Sequence, residues 1–510
     1  MSSVAARVAE IARRHPARVA IVADDRRIDY AGFWRESVAF AHALRARGLQ
    51  AGDRVAILLP NRIEAAVACY GCWLAGGIAA PLNVQARSRD FIAWLAHADA
   101  RHIVYEHNHN DALAAIETHD AERHGADALV RWPVGGERPL APDLGGAERV
   151  EAFDPASIRA DDAALILYTS GTTGAPKGVT LTHGNLVANA SAVVRYLELT
   201  ADDSVLSILA FYYAYGASVL HTHLIAGASV VLAPNLLFPH LLMDAIARER
   251  ITGFSGVPST FALLLERVKL GDYDLSSLRY LTQAGGAMSP ALTGRLRAAL
   301  PQARLFVMYG QTEATSRLTW LPPERLDEKL GSVGIPVDGV ELRIVRESGD
   351  DAAPGEDGEV RVRGPNVMRG YWQHPEATAA VLQDGWLRTG DIGRLDADGF
   401  LYLAGRRSDM IKTGAHRVHP VDVEDAIAEM PGVLEVAVVG VDDAVMGQVI
   451  RAFVVAPSLP PQSENRVKAH CRERLASYKI PRDIVFVHAL PRTASGKVRR
   501  AALLEPQTVS

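Results

Sequence analysis

Short apolar runs that close on turn-forming residues alternate with helical stripes over residues 53–282, and few folds accommodate that succession. A strand, a crossover helix and a second strand make up the repeating unit of a parallel sheet with helices on its faces. Residues 53–60 have a strand's composition and lead into a helical stretch at 61–76, a Gly76-Gly77 turn and a strand at 78–82. Residues 88–98 read as helix before an apolar run at 102–105, and 163–168 reads as a buried strand. The alternation returns in strands at 204–209, 228–232, 251–255 and 278–282, with helices near 216–226 and after Pro258. Ahead of these, Val4, Val8, Ile11 and Ala12 share one helical stripe, 20–22 and 28–30 resemble paired strands around Asp25-Arg26, and 31–48 reads as a longer helix.

After Val340 the pattern changes to short alternating strands at 341–345, 358–363, 392–395 and 400–403, with Asp398-Gly399 as a hairpin turn. Beyond Gly405-Arg406 it changes again. Pro420 suits a first helical turn, Val423, Ala426, Ile427 and Met430 form one apolar face, and Pro431-Gly432 stops the helix. Strands at 435–439, 449–455 and 483–487 and a helix near 464–476 complete this last part. The expected fold is α/β: a large N-terminal region, 1–403, of two α/β subdomains plus a β-rich element, and a small mobile C-terminal α+β domain, 404–510.

The composition is that of a compact enzyme, with 48% hydrophobic and 22% charged residues in 510. A formal charge of −5 gives no general attraction to nucleic acid. Cys69 and Cys72 form a CxxC inside an apolar helical segment, and with Cys471 as the third cysteine no zinc-site pattern arises, so inert buried thiols are expected. There is no signal-like apolar region at the N-terminus and no run long enough to span a bilayer, which makes a cytoplasmic protein the default expectation.

The chemistry concentrates at a few strand ends. After the strand at 163–168 comes Thr169-Ser170-Gly171-Thr172-Thr173-Gly174-Ala175-Pro176-Lys177-Gly178, which combines hydroxyls, glycines and one lysine. Glycines let amide N–H groups approach anionic oxygens, hydroxyls add donors, and Lys177 adds a mobile charge. The spacing is not that of a Walker A loop. Farther on, Tyr309 offers an aromatic face to a purine, Thr312 a hydroxyl to phosphate and Glu313 a carboxylate to magnesium. Asp391, read as the end of a strand-and-turn segment, is suited to ribose hydroxyls, and Arg406 to a carboxylate or phosphate. Taken singly, Glu313 reads equally as surface charge, Asp391 as a turn cap and Arg406 as an interdomain salt bridge. The terminal segment Pro491-Arg492-Thr493-Ala494-Ser495-Gly496-Lys497-Val498-Arg499-Arg500 reads as a flexible basic loop whose lysine can reach into a cleft.

Assembled in order, six segments resemble the adenylate-forming acyl-CoA synthetase superfamily, which includes acyl- and aryl-CoA ligases, luciferases and nonribosomal peptide adenylation domains. They are the 168–178 segment, Tyr309-Gly310-Gln311-Thr312-Glu313, Gly331-Ser332-Val333-Gly334, Thr389-Gly390-Asp391, 405–412 and Ser495-Gly496-Lys497. The resemblance implies that Thr169, Ser170, Gly171, Thr172, Thr173, Gly174 and Lys177 bind ATP phosphates. Tyr309 would stack beside adenine, Asp391 would hold the ribose, Arg406 would contact the phosphate region, and Thr312 with Glu313 would contact phosphate and magnesium. Lys497 would promote adenylation. Tyr212, Tyr213, Gly286 and Met308 would surround the acid, with Ala284 and Gly285 between acid and nucleotide. The implied substrates are a small organic carboxylic acid, ATP with magnesium, and coenzyme A, with a carrier-protein phosphopantetheine as the alternative acceptor. An α-amino acid is disfavoured because the pocket segment lacks an acidic residue for the amine. Ser408 and Ala415 depart from the superfamily's usual hinge residue and glycine pair, and dimerisation is left open.

Overall fold

The computed structural model describes residues 3–23, 26–122, 128–135, 140, 153–169, 176–233, 238–406, 409–414, 416–443, 446–460, 463–493 and 496–505. Two large sheets and two smaller ones organise the chain. In the first, the parallel strands Val130–Val134, Ala100–Glu106, Arg54–Leu58, Ile78–Pro81 and Ala163–Thr169 are followed by two antiparallel ones, Lys177–Thr182 and Gly370–Tyr371. The second sheet has six parallel strands, Val19–Ala23, Ser229–Leu232, Ser204–Ser207, Gly253–Gly256, Tyr280–Gln283 and Arg304–Tyr309, with antiparallel strands at both margins. The opening strand pair therefore does not join its sequence neighbour at 54–58. It crosses to the second sheet, where Ile21 aligns with Val230.

Helix Ile63–Leu74 is apolar all round and buried at every position except Glu64, as a helix enclosed on all sides must be. Glu64 is held by Arg62 and Arg26 at 2.7 and 2.8 Å. Helix His183–Tyr196 starts at a reciprocal cap, with Asn185 N–H donating to Thr182 Oγ1 and Thr182 N–H to Asn185 Oδ1. The same Asn185 amide donates to the carbonyls of Pro365 and Val367, both at 2.8 Å, which ties the first sheet to the β-rich element. Cys69, Cys72 and Cys471 are free and buried, and burial pushes each thiol up, in keeping with inert packing. Among the described residues no helix is long and apolar enough to cross a membrane.

The β-rich element contains Glu341–Val345, Gly358–Arg363, Trp386–Leu395 and Leu401–Arg406, all antiparallel. Its third strand is longer than the sequence pattern suggests, because the polar Thr389-Gly390-Asp391 triplet lies within the ladder and not at a turn. Leu401–Arg406 runs past the expected boundary at 403, and the small domain's sheet starts with Ile411–Thr413. In that domain Val423, Ala426, Ile427 and Met430 are all buried, on helix Pro420–Ala428 and just beyond it. The basic terminal segment is no free loop: Arg492 bridges to Val498, and Arg500 opens a short helix and pairs with Glu424 at 2.6 Å.

Burial, then the neighbouring Glu424, Asp422 and Glu429, push the Asp425 carboxyl up from 3.8 to about 7. Since the folded value is the higher one, the stability this group contributes is complete below 3.8 and is lost as pH rises through about 7. Asp425→Asn stays neutral, so it should raise the unfolding midpoint at about pH 8 and change it much less at about pH 4. Equal shifts at both pH values in a thermal melt would refute this.

Candidate active site

A cleft of about 1070 Å³ is walled by both large sheets and by the small domain. Thr169 closes its strand on the cleft, and after Pro176 the chain returns antiparallel with Lys177 opposite Thr169. Ser170, Gly171, Thr172, Thr173 and Gly174 lie outside the described residues, as do Ser408 and Ala415. The Lys177 ammonium stands 5.8 Å from the centroid of the Tyr371 ring. The Tyr371 hydroxyl in turn donates to Glu313 Oε1 at 2.9 Å. Tyr371, unmarked in the sequence by any phosphate-type pattern, thus joins the lysine to the acidic residue.

Strand Arg304–Tyr309 delivers the next group and stops at Gly310. A Cβ there would fall 1.7 Å from the Ser316 carbonyl oxygen, so only glycine lets the chain turn back this tightly. One 3₁₀ turn, Thr312–Ala314, follows, and Gly310, Gln311 and Thr312 line the cleft. The Gln311 Nε2 group is buried without a partner, leaving a donor for a ligand. Tyr309 is itself buried, and its hydroxyl donates to Asp391 Oδ2 at 2.6 Å.

Asp391 lies opposite Arg406 in the strand pair, and Arg406 Nε meets its other oxygen at 3.0 Å. Burial pushes the Asp391 carboxyl up, against the pull of Arg406 and the Tyr309 hydrogen bond, while Asp391 raises Arg406. A carboxylate has about four lone-pair sites, so two partners leave room for ribose hydroxyls. Arg406 thus forms a salt bridge, but within one strand pair and not between domains as the sequence reading has it, and its side chain is half exposed.

From the small domain, Lys497 reaches the cleft. Although the residue as a whole is exposed, burial around its ammonium and then repulsion from Arg406 lower its pKa, with Asp391 and Glu313 opposing. Opposite charges from two sheets and one hairpin therefore converge on one space. Among the described residues no group of three or more His, Cys, Asp or Glu can hold a metal ion.

At the acid end, Tyr212 and Tyr213 line the cleft with ring centroids 4.8 Å apart in an edge-on pair, and Ala284 and Gly285 line it too. Met308 and Gly286 do not. Met308 neighbours Tyr309 on one strand and so faces the other way, into a core where its sulfur accepts from the Tyr196 hydroxyl at 3.0 Å. Gly286 is exposed, and its carbonyl accepts from Gln283 Nε2 at 2.8 Å.

The model of the AMP-binding enzyme family matches residues 8–372, and that of the AMP-binding enzyme C-terminal domain matches 422–497. The chain belongs to this adenylate-forming family. A feruloyl-CoA synthase from an Amycolatopsis species is 35% identical over 96% of this chain and 95% of its own. A 2-succinylbenzoate–CoA ligase from Bacillus licheniformis is 36% identical over 96% of this chain and 97% of its own. Among solved structures, o-succinylbenzoate CoA synthetase from Bacillus subtilis, in complex with its acyl-adenylate intermediate, superposes with a TM-score of 0.84 at 31% identity, covering 99% of both chains. A benzoate CoA ligase from Burkholderia xenovorans superposes at 0.88 with 28% identity, covering 99% of this chain and 100% of its own. The family member described here has the same arrangement of large region and small domain.

Proposed function

We propose that this AMP-forming carboxylic acid–CoA ligase acts on an aryl acid, joining it first to AMP and then to the thiol of coenzyme A. The observation that carries the adenylation reading is that Lys497, on the cleft wall, stands within electrostatic range of Arg406, Asp391 and Glu313. A carboxylate cannot expel oxide, whereas an acyl-adenylate can expel AMP. In the first half-reaction the acid's oxygen attacks the α-phosphorus of ATP and pyrophosphate leaves. Lys497 is placed to stabilise both the incoming carboxylate and the charge developing on the phosphoryl oxygens, and Thr312 and Arg406 offer further donors. Asp391 and Tyr309 fix the nucleoside. Magnesium, when bound with ATP, neutralises phosphate charge, and Glu313, oriented by Tyr371, is the side chain that would hold it. In the second half-reaction the thiolate attacks the acyl carbonyl and AMP departs.

The substrate class rests on the pocket. Two tyrosines form an aromatic wall, and Ala210, Ala214, Ala284 and Gly285 add little bulk around it, which suits a flat ring. The carboxylates lining the cleft are Glu266 and Glu435, and each has an arginine partner, Arg295 at 4.0 Å and Arg492 respectively. Neither is left to pair with an amine, which disfavours an amino acid. The relatives named above are CoA ligases, which favours CoA over a carrier-borne thiol as acceptor. The test is a panel of aryl and aliphatic acids with ATP and magnesium, with products identified by mass. Aryl-CoA formed only with CoA present is expected, whereas aliphatic thioesters formed in preference would overturn the aryl assignment.

A further inference from the structure

The lysine-bearing hairpin is braced by an ion pair that the adenylation reading leaves unused. Arg492 Nη1 donates to the carbonyl of Gly496, the residue before Lys497, at 2.6 Å, while its Nη2 pairs with Glu435 Oε1. The planar guanidinium thus fixes two directions at once. The hairpin is otherwise held by its own short bonds: Thr493 N–H to the Lys497 carbonyl at 2.7 Å, Lys497 N–H to Thr493 Oγ1 at 3.1 Å, and Gly496 N–H to the Thr493 carbonyl at 2.9 Å. Gly496 has φ +83°, and a Cβ on it would lie 3.2 Å from Val257 Cγ2 of the large region, so Gly496 is docked at close range.

Glu435 supplies the fixed end of this brace. It opens strand Glu435–Asp443, at the edge of the small domain's sheet, and is registered opposite Val455 on the neighbouring strand. The side chains of Arg492 and Glu435 are 29% and 24% exposed, so water screens their attraction less than it would a fully exposed pair. Arg492, Glu435 and Lys497 all border the cleft. We propose that Arg492, anchored by Glu435, is a positioning residue for the adenylation half-reaction: it transmits the placement of the small domain's sheet to Lys497 and sets where the ammonium stands in the cleft.

This proposal rests on the role given to Lys497 above, and half-reaction assays separate the two. Adenylation is followed as pyrophosphate release, and thioester formation as conversion of supplied acyl-adenylate with CoA. Arg492→Ala should lower the maximal rate of adenylation roughly 10- to 100-fold, the scale set by misplacing a reacting group by about 1 Å, and change the KM for ATP far less. Conversion of supplied acyl-adenylate should fall much less than adenylation. Arg492→Lys, which keeps the charge but loses the fork, should restore only part of the rate. The double variant Arg492→Ala/Glu435→Ala should be no slower than Arg492→Ala alone, because the two act as one unit. Undiminished adenylation in Arg492→Ala, equal loss of both half-reactions, or additive losses in the double variant would each overturn the proposal. If Lys497→Ala itself adenylates normally, it is the reading of the site that fails. If Lys497→Ala is inactive in adenylation while Arg492→Ala is not, the brace alone fails.

Discussion

Lys497→Ala is expected to slow acyl-adenylate formation by about two to three orders of magnitude, the usual cost of deleting a donor aimed at developing transition-state charge. Lys497 reaches the cleft from the small domain, and its ammonium lies within electrostatic range of Arg406, Asp391 and Glu313. Removing it takes away positive charge where the carboxylate and the α-phosphate approach each other, and alanine offers nothing in its place. Conversion of supplied acyl-adenylate to thioester should be spared by comparison, since no carboxylate then attacks the α-phosphorus. The measurement pairs pyrophosphate release from acid and ATP with disappearance of synthetic acyl-adenylate in the presence of CoA. Equal loss in both assays would assign the lysine to general integrity of the fold and not to the first step.

Asp391→Ala is the second large effect, and it should appear in nucleotide binding. The buried carboxylate receives the Tyr309 hydroxyl at 2.6 Å and Arg406 Nε at 3.0 Å, and in the proposed function its remaining lone pairs accept from ribose. Hydrogen bonds to a charged group contribute about 1.5–3 kcal/mol each, so losing this acceptor should raise the KM for ATP roughly 10- to 100-fold. Asp391→Asn keeps an acceptor oxygen without the charge and should lie between alanine and the parent. The KM for the acid should change little in either variant. A rise confined to the acid, with the affinity for ATP untouched, would contradict the assignment.

Much of this was legible in the residues, and the failures have identifiable causes. Alternating apolar runs located the parallel strands because burial on both faces imposes a continuous apolar character. The helix expected at 88–98 is observed as Ser88–Ala98. Local pattern could not show that Val19–Ala23 leaves its neighbour and pairs beside Ser229–Leu232, because strand partners are chosen by packing between distant segments. Nor could it show that Thr389-Gly390-Asp391 sits inside a ladder: a polar triplet resembles a turn until its cross-strand partner, Arg406, is known. Met308 was misplaced for a simpler reason. It adjoins Tyr309 in sequence, yet successive side chains on a strand point to opposite faces. Tyr371 and the Arg492–Glu435 pair carry no motif, since they act on other side chains and on backbone.

The ladder between Trp386–Leu395 and Leu401–Arg406 stays zipped to its last rung, Asp391 against Arg406, and the next paired strand opens at Ile411. Five Cα-to-Cα steps separate those anchors, a tether of about 18 Å at full stretch. In the function proposed above, a small domain that changes station between half-reactions stays within that tether's reach of the Asp391–Arg406 rung. On that proposal the point of attachment and the nucleoside grip share a single rung, so a nucleotide that tightened it would also stiffen the axle on which the lysine moves.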